Sequence, residues 1–96
     1  MIDVTDARAT GTFEIINRLG LHARAASRLV QVASSFPCDV VVSREGQEAN
    51  AKSVMGVLLL CGAKGTMLRV DATGERADEA VSKIGALIAS RFGEDE

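Results

Sequence analysis

Between residues 23 and 34 the apolar positions Ala26, Leu29, Val30 and Ala33 recur at helical spacing, while Arg24, Ser27, Arg28, Gln31 and Ser34 fill the opposite side. That period predicts an amphipathic helix of about three turns, starting at Ala23 and ending before Pro37. Upstream, TFEIIN at 12–17 reads as a strand with Phe13 and Ile15 on one face. Downstream, CDVVVS at 38–43 and QEANA at 47–51 read as two short strands joined through Gly46. The run SVMGVLLL at 53–60 predicts a short apolar helix with Ser53 as its N-cap, ended near Gly62. MLRVDA at 67–72 alternates, with Leu68, Val70 and Ala72 inward and Met67, Arg69 and Asp71 outward. Residues 76–92 predict a closing helix whose stripe is Val81, Ile84, Leu87, Ile88 and Phe92, with Asp78 and Glu79 in its first turn and Arg91 in its last.

The expected order is β-α-β-β-α-β-α. Half-polar strands beside amphipathic helices imply an α+β sandwich of two layers, an antiparallel sheet covered by helices on one face. We expect a single domain over 1–96, with a polar lead-in at 1–9 and an acidic tail at 93–96 that frays. Within the helical run 53–60, Val57, Leu59 and Leu60 are expected to fill core. Val54, Met55 and Leu58 cannot all share that direction, and Met55 and Leu58 are assigned to a contact surface.

Composition narrows the function. The chain has 96 residues, a net charge of −2, and only Phe13, Phe36 and Phe92 as aromatics. It therefore lacks both a stacking platform and a broad basic face for nucleic acid. No apolar run approaches the roughly 20 residues of a membrane span, and MIDVTDARAT has no secretory-signal character, so a cytoplasmic protein is expected. Cys38 and Cys61 lack metal-ligand spacing, and with one histidine they make no plausible zinc site. They are expected to be reduced and largely buried. The residues imply no cofactor and no metal.

The sole histidine, His22, stands at the predicted start of the first helix, in the stretch GLHARAA. The first N–H groups of a helix have no internal partner, and the macrodipole places about half a positive charge there. Such a site favours a neutral imidazole, which is a nucleophile, and supplies donors to an anion beside it. A phosphoryl group on the ring would be held by the N–H groups of Ala23 and Arg24 and by the Arg24 guanidinium. Charge agrees: residues 15–38 contain no Asp or Glu, although the chain has 13, and they carry Arg18, Arg24 and Arg28. No general base accompanies the histidine, so the site suits accepting and passing on a group more than independent turnover. A surface or capping histidine and a solvated arginine face explain the same residues taken singly.

NRLGLHARAA resembles the active-site signature of the HPr family, the histidine phosphocarriers of the bacterial phosphotransferase system, usually N-x-x-G-[LIV]-H-[AT]-R-P-A. NAKSVMGVLLL resembles the regulatory serine region of the same family, and the likeness covers roughly residues 10–92. The resemblance implies four antiparallel strands covered by three helices. It implies that His22 takes a phosphoryl group on Nδ1 from phosphorylated enzyme I and hands it to an EIIA-type domain, with Arg24 stabilising the phosphohistidine. It implies regulatory phosphorylation of Ser53 by an HPr kinase/phosphorylase, a monomeric state, and a partner surface built from Arg18, Ser27, Arg28, Val54, Met55 and Leu58. A regulatory module governed mainly by Ser53 is the alternative. Two positions depart from the pattern: Ala25 stands where proline is usual, and Arg18 where proline is frequent. Ala25 loses the preset φ of proline but regains a backbone N–H, a third donor for a bound phosphate.

Overall fold

A computed structural model describes residues 2–5 and 7–96. The strands are β1 (Ile2–Thr5), β2 (Arg8–Glu14), β3 (Asp39–Arg44), β4 (Gln47–Asn50) and β5 (Met67–Thr73). The helices are α1 (Ala23–Ser34), α2 (Val54–Leu59) and α3 (Ala77–Ala89), followed by a single left-handed turn at Arg91–Gly93. The sheet runs β1-β2-β5-β3-β4 and every pair is antiparallel. Strands β2 to β5 and the three helices are the architecture the pattern predicts. The edge strand β1 is additional. It lies in the polar lead-in, where Ile2 and Val4 alternate with Asp3 and Thr5 over too few residues to stand out.

Strand alternation places one face of the sheet in the core. Ala9, Gly11, Val40, Val42, Leu68, Val70 and Ala72 are buried, and their sequence neighbours face outward. On the outer face Asp71 pairs with Arg69 at 3.0 Å and with Arg8 at 3.6 Å. The helix layer meets the sheet chiefly through α3 on β2 and β5, and α1 packs on both α2 and α3. Leu29 of α1, Val57 of α2 and Ile84 and Ile88 of α3 are fully buried. Burying side chains of this size stabilises the fold by about 1.5–3 kcal/mol each.

Four expectations are corrected. The closing helix stops at Ala89, and Arg91 (φ 59°), Phe92 (φ 56°) and Gly93 (φ 79°) turn the chain through left-handed backbone. Phe92 is fully buried, but by this turn and not by the helical stripe; the four-residue step from Ile88 serves either geometry. In α2, Leu59 is 73% exposed instead of core. Residues four apart share a helix face, so Leu59 points outward with Met55, while Val57 and Leu60 point inward. Leu58 is half buried against the core and not part of that outward face. Finally, Cys38 is buried but Cys61 is exposed, set after the helix end in a left-handed conformation (φ 52°) that the sequence suggested for Gly62.

Candidate functional site

The loop between β2 and α1 is clamped before it reaches His22. The Ile15 amide donates to the Thr66 carbonyl at 2.9 Å, the Gly65 amide to Ile15 at 2.7 Å, and the Leu21 amide to Gly62 at 2.8 Å. Close approach at this clamp requires glycine twice. Gly20 has φ +65°, and a Cβ there would run into the Gly62 carbonyl; a Cβ on Gly62 would come within 2.8 Å of Ile15 and Leu21. Asn17 is fully buried beneath the loop, and its Nδ2 donates to the Gly20 carbonyl at 2.8 Å.

This anchoring delivers His22 to the N-cap of α1 in extended backbone (φ −76°, ψ 177°). Its carbonyl accepts the Ala26 N–H at 2.9 Å, and its Nδ1 accepts the Arg24 N–H at 3.3 Å. Helix geometry leaves the N–H groups of Ala23 and Ala25 without an intrahelical partner. The side chain of Ala25 is fully buried, so the position usual for proline is filled without a gap at the surface. His22 and the expected phosphate ligands Ala23 and Arg24 line one open cleft of ≈ 760 Å³, together with Arg18, Leu19 and Arg28.

Residues 93–96 line the same cleft. The acidic tail, expected to fray, is folded into the site. His22 Nε2 is bonded to Glu94 Oε2, and Asn17 Nδ2 donates to Glu94 Oε1 at 2.9 Å. The Arg18 amide donates to the Glu96 carbonyl at 3.0 Å, and the Arg18 guanidinium pairs with the Glu96 carboxylate at 2.6 Å. Arg28 Nη1 donates to the Phe92 carbonyl. Arg18 and Arg28, expected to face a partner, therefore hold the tail. Burial opposes ionisation of Glu94, but the bonds from Asn17 and His22 and the charges of His22 and Arg28 outweigh it. Its carboxyl lies below the ordinary glutamate value of 4.5.

Ser53 lies outside this cleft, at the N-cap of α2, where its Oγ accepts the Gly56 N–H at 3.1 Å. Ser27 is exposed, Val54 is half buried, and Met55 is 70% exposed. Leu19, in the loop before His22, is exposed as well. Asn17, Glu94 and Glu96 were missed as site residues. Asn17 had a signal, since it opens the ten-residue signature; the two glutamates had none, lying more than 70 residues from the histidine in sequence. Among the described residues no cluster of His, Cys, Asp and Glu could hold a metal ion, and no helix is long and apolar enough to cross a membrane.

Comparison with known proteins agrees with this geometry. Residues 9–90 match the family described as PTS HPr component phosphorylation site. The chain is 46% identical over 82 residues to phosphocarrier protein HPr of Cupriavidus necator, covering 85% of this chain and 92% of the relative. It is 44% identical over 85 residues to phosphocarrier protein NPr of Escherichia coli, covering 88% and 94%. Among solved structures, HPr from Thermoanaerobacter tengcongensis superposes with a TM-score of 0.87 at 39% identity, covering 91% of this chain and 98% of that one.

Proposed function

The chain belongs to the HPr family of phosphotransferase-system phosphocarriers, and from that premise we propose that His22 is the residue that carries the phosphoryl group. It is a carrier and not a catalytic enzyme. The observation that supports His22 most directly is its place at the N-cap of α1, with Nδ1 turned to the Arg24 N–H. The Nδ1 lone pair attacks the phosphorus of phosphorylated enzyme I, an Nδ1–P bond forms, and the bond from phosphorus to the donor breaks. The Arg24 N–H, freed from Nδ1, turns to a phosphoryl oxygen. The Ala23 N–H and the Arg24 guanidinium, whose residues line the cleft, supply further donors at the positive end of α1. Ala25 keeps an N–H that proline lacks, but the residue is fully buried and does not line the cleft. Transfer to an EIIA-type domain reverses the steps, and the carrier is returned unchanged.

The docking surface we assign to enzyme I and EIIA comprises exposed Met55, Leu59 and Leu19 together with Ser27 and the rim of Val54. We assign Ser53 as a regulatory site for an HPr kinase/phosphorylase. Its hydroxyl caps a helix beside Met55, and a phosphate there would add about two negative charges next to that apolar surface. A monomer acting in the cytoplasm fits the relay.

One experiment with two arms tests both residues. Phosphoenolpyruvate with enzyme I should give an acid-labile, base-stable phosphate that is absent from His22→Ala. ATP with an HPr kinase should give an acid-stable phosphate that is absent from Ser53→Ala. An acid-labile phosphate persisting in His22→Ala would remove His22 from the relay, and modification in the second arm alone would make the protein a Ser53-controlled module.

A further inference from the structure

The carboxylate on the far side of the imidazole goes beyond the motif. The two ring nitrogens of His22 have different partners on opposite sides. Nδ1 accepts the Arg24 N–H, so it carries no proton in this arrangement. Nε2 meets the Glu94 carboxylate, which only accepts, so Nε2 carries the hydrogen and donates it. We propose that Glu94 is a positioning residue for phosphoryl transfer: it fixes the His22 ring in the tautomer whose Nδ1 lone pair is free. This rests on the reading of His22 as the phosphoryl acceptor.

Glu94 is itself well held. Its side chain is 13% exposed, and its second oxygen takes a hydrogen bond from buried Asn17 at 2.9 Å. Asn17 also bonds Gly20 in the loop that carries His22, so one buried amide sets both the loop and the carboxylate. The left-handed backbone of Arg91, Phe92 and Gly93 directs the chain back toward α1, and Arg28 fixes the turn through the Phe92 carbonyl. Left-handed backbone at non-glycine residues is retained where the surroundings over-determine it.

The arrangement has a consequence for the bound group. When Nδ1 bonds phosphorus while Nε2 keeps its hydrogen, the ring gains a positive charge. The Glu94 carboxylate faces that charge and can take the Nε2 proton. In the return step the ring leaves phosphorus as neutral imidazole, with the proton again on Nε2. No proton need be exchanged with solvent at Nδ1. A carboxylate on the second ring nitrogen fixes the tautomer in the same way behind general-base histidines and behind metal-binding ones, where its removal typically costs about 10–100-fold.

The opposite role for the tail would be a plug that excludes the donor, and the two predict opposite signs. In Glu94→Ala, single-turnover transfer from phosphorylated enzyme I should fall about 10–100-fold with half-saturation by enzyme I unchanged. In Glu94→Gln the amide oxygen still accepts from Nε2–H, and part of the rate should return. The tautomer is read independently in unphosphorylated protein labelled with ¹⁵N-histidine, at alkaline pH. Wild type should show a pyridine-type Nδ1 and a pyrrole-type Nε2, and Glu94→Ala should shift both toward the average of two tautomers. Faster transfer in Glu94→Ala would establish a plug, and unchanged nitrogen shifts with an unchanged rate would leave Glu94 no positioning role. If wild-type His22 takes no phosphate at all, the acceptor reading fails, while the nitrogen shifts still decide whether Glu94 sets the tautomer.

Discussion

At the scale of residues, Glu94 is the side chain whose chemistry differs most from what its neighbours in sequence suggest. In GEDE it reads as one of several solvated charges, yet it is the only one held by both Asn17 and His22. Its depressed carboxyl value couples tail docking to pH. A group more acidic folded than unfolded contributes stability that is complete above its ordinary value near 4.5. That contribution is lost as pH falls through the lower, folded value. A ¹³C-carboxyl NMR titration should therefore find the Glu94 midpoint below 4.5 in wild type and higher in Asn17→Ala, which removes one of the bonds to the ionised form. A midpoint at or above 4.5 in wild type would mean that the tail does not dock in solution. His22 and Arg24 were legible because their chemistry is local: an imidazole at a helix start with free N–H groups and an arginine two residues on. The bond to Glu94 spans 72 positions, and no local pattern encodes it.

Elements were legible in proportion to how fully their period was expressed. The first helix has a long amphipathic repeat and a proline stop, and α1 begins at Ala23 as expected. The six residues of α2 are almost all apolar, so hydrophobicity could not say which of them face inward. Angular spacing decides it, placing Met55 and Leu59 outward together. This yields a contrast that stability alone cannot mimic. Met55→Asp should weaken enzyme I binding at least tenfold while leaving unfolding stability within about 0.5 kcal/mol, as for substitutions on an exposed surface. Isothermal titration with enzyme I and thermal unfolding of the same variant measure the two. A large loss of stability would instead make Met55 a packing residue. The end of α3 was illegible for another reason. No glycine marks Ala89 as the last helical residue, and the left-handed turn is held by tertiary contacts, including Arg28 to Phe92.

For the whole molecule, the two-layer arrangement followed from the sequence because α1, α3 and β5 each show one apolar face and one polar face. Alternation in β5 is the clearest case, with Leu68, Val70 and Ala72 buried and Met67, Arg69 and Thr73 exposed. That strand is central, pairing with β2 on one side and β3 on the other. Leu68→Ala should cost about 2–5 kcal/mol in urea unfolding, the range for a fully buried leucine. A loss below 1 kcal/mol would show that the site collapses around the missing side chain. The edge strand β1 escaped the sequence because a short polar-rich strand joins the sheet through backbone pairing with β2, which composition does not report.

The left-handed turn after α3 has a consequence for biosynthesis. A nascent chain that has emerged through α2 already displays the whole histidine signature, yet Phe92 and Glu94 have not been made. Its imidazole then has a helix end on one side and only water on the other. Pairings between distant parts of a chain form late, since the entropy of closing the loop must be overcome first. The contact between His22 and Glu94 thus waits for a segment made 72 positions later in the chain. A partly folded chain presents the motif without the carboxylate proposed to order the ring, so on that reading competence of His22 reports that the turn after α3 has docked.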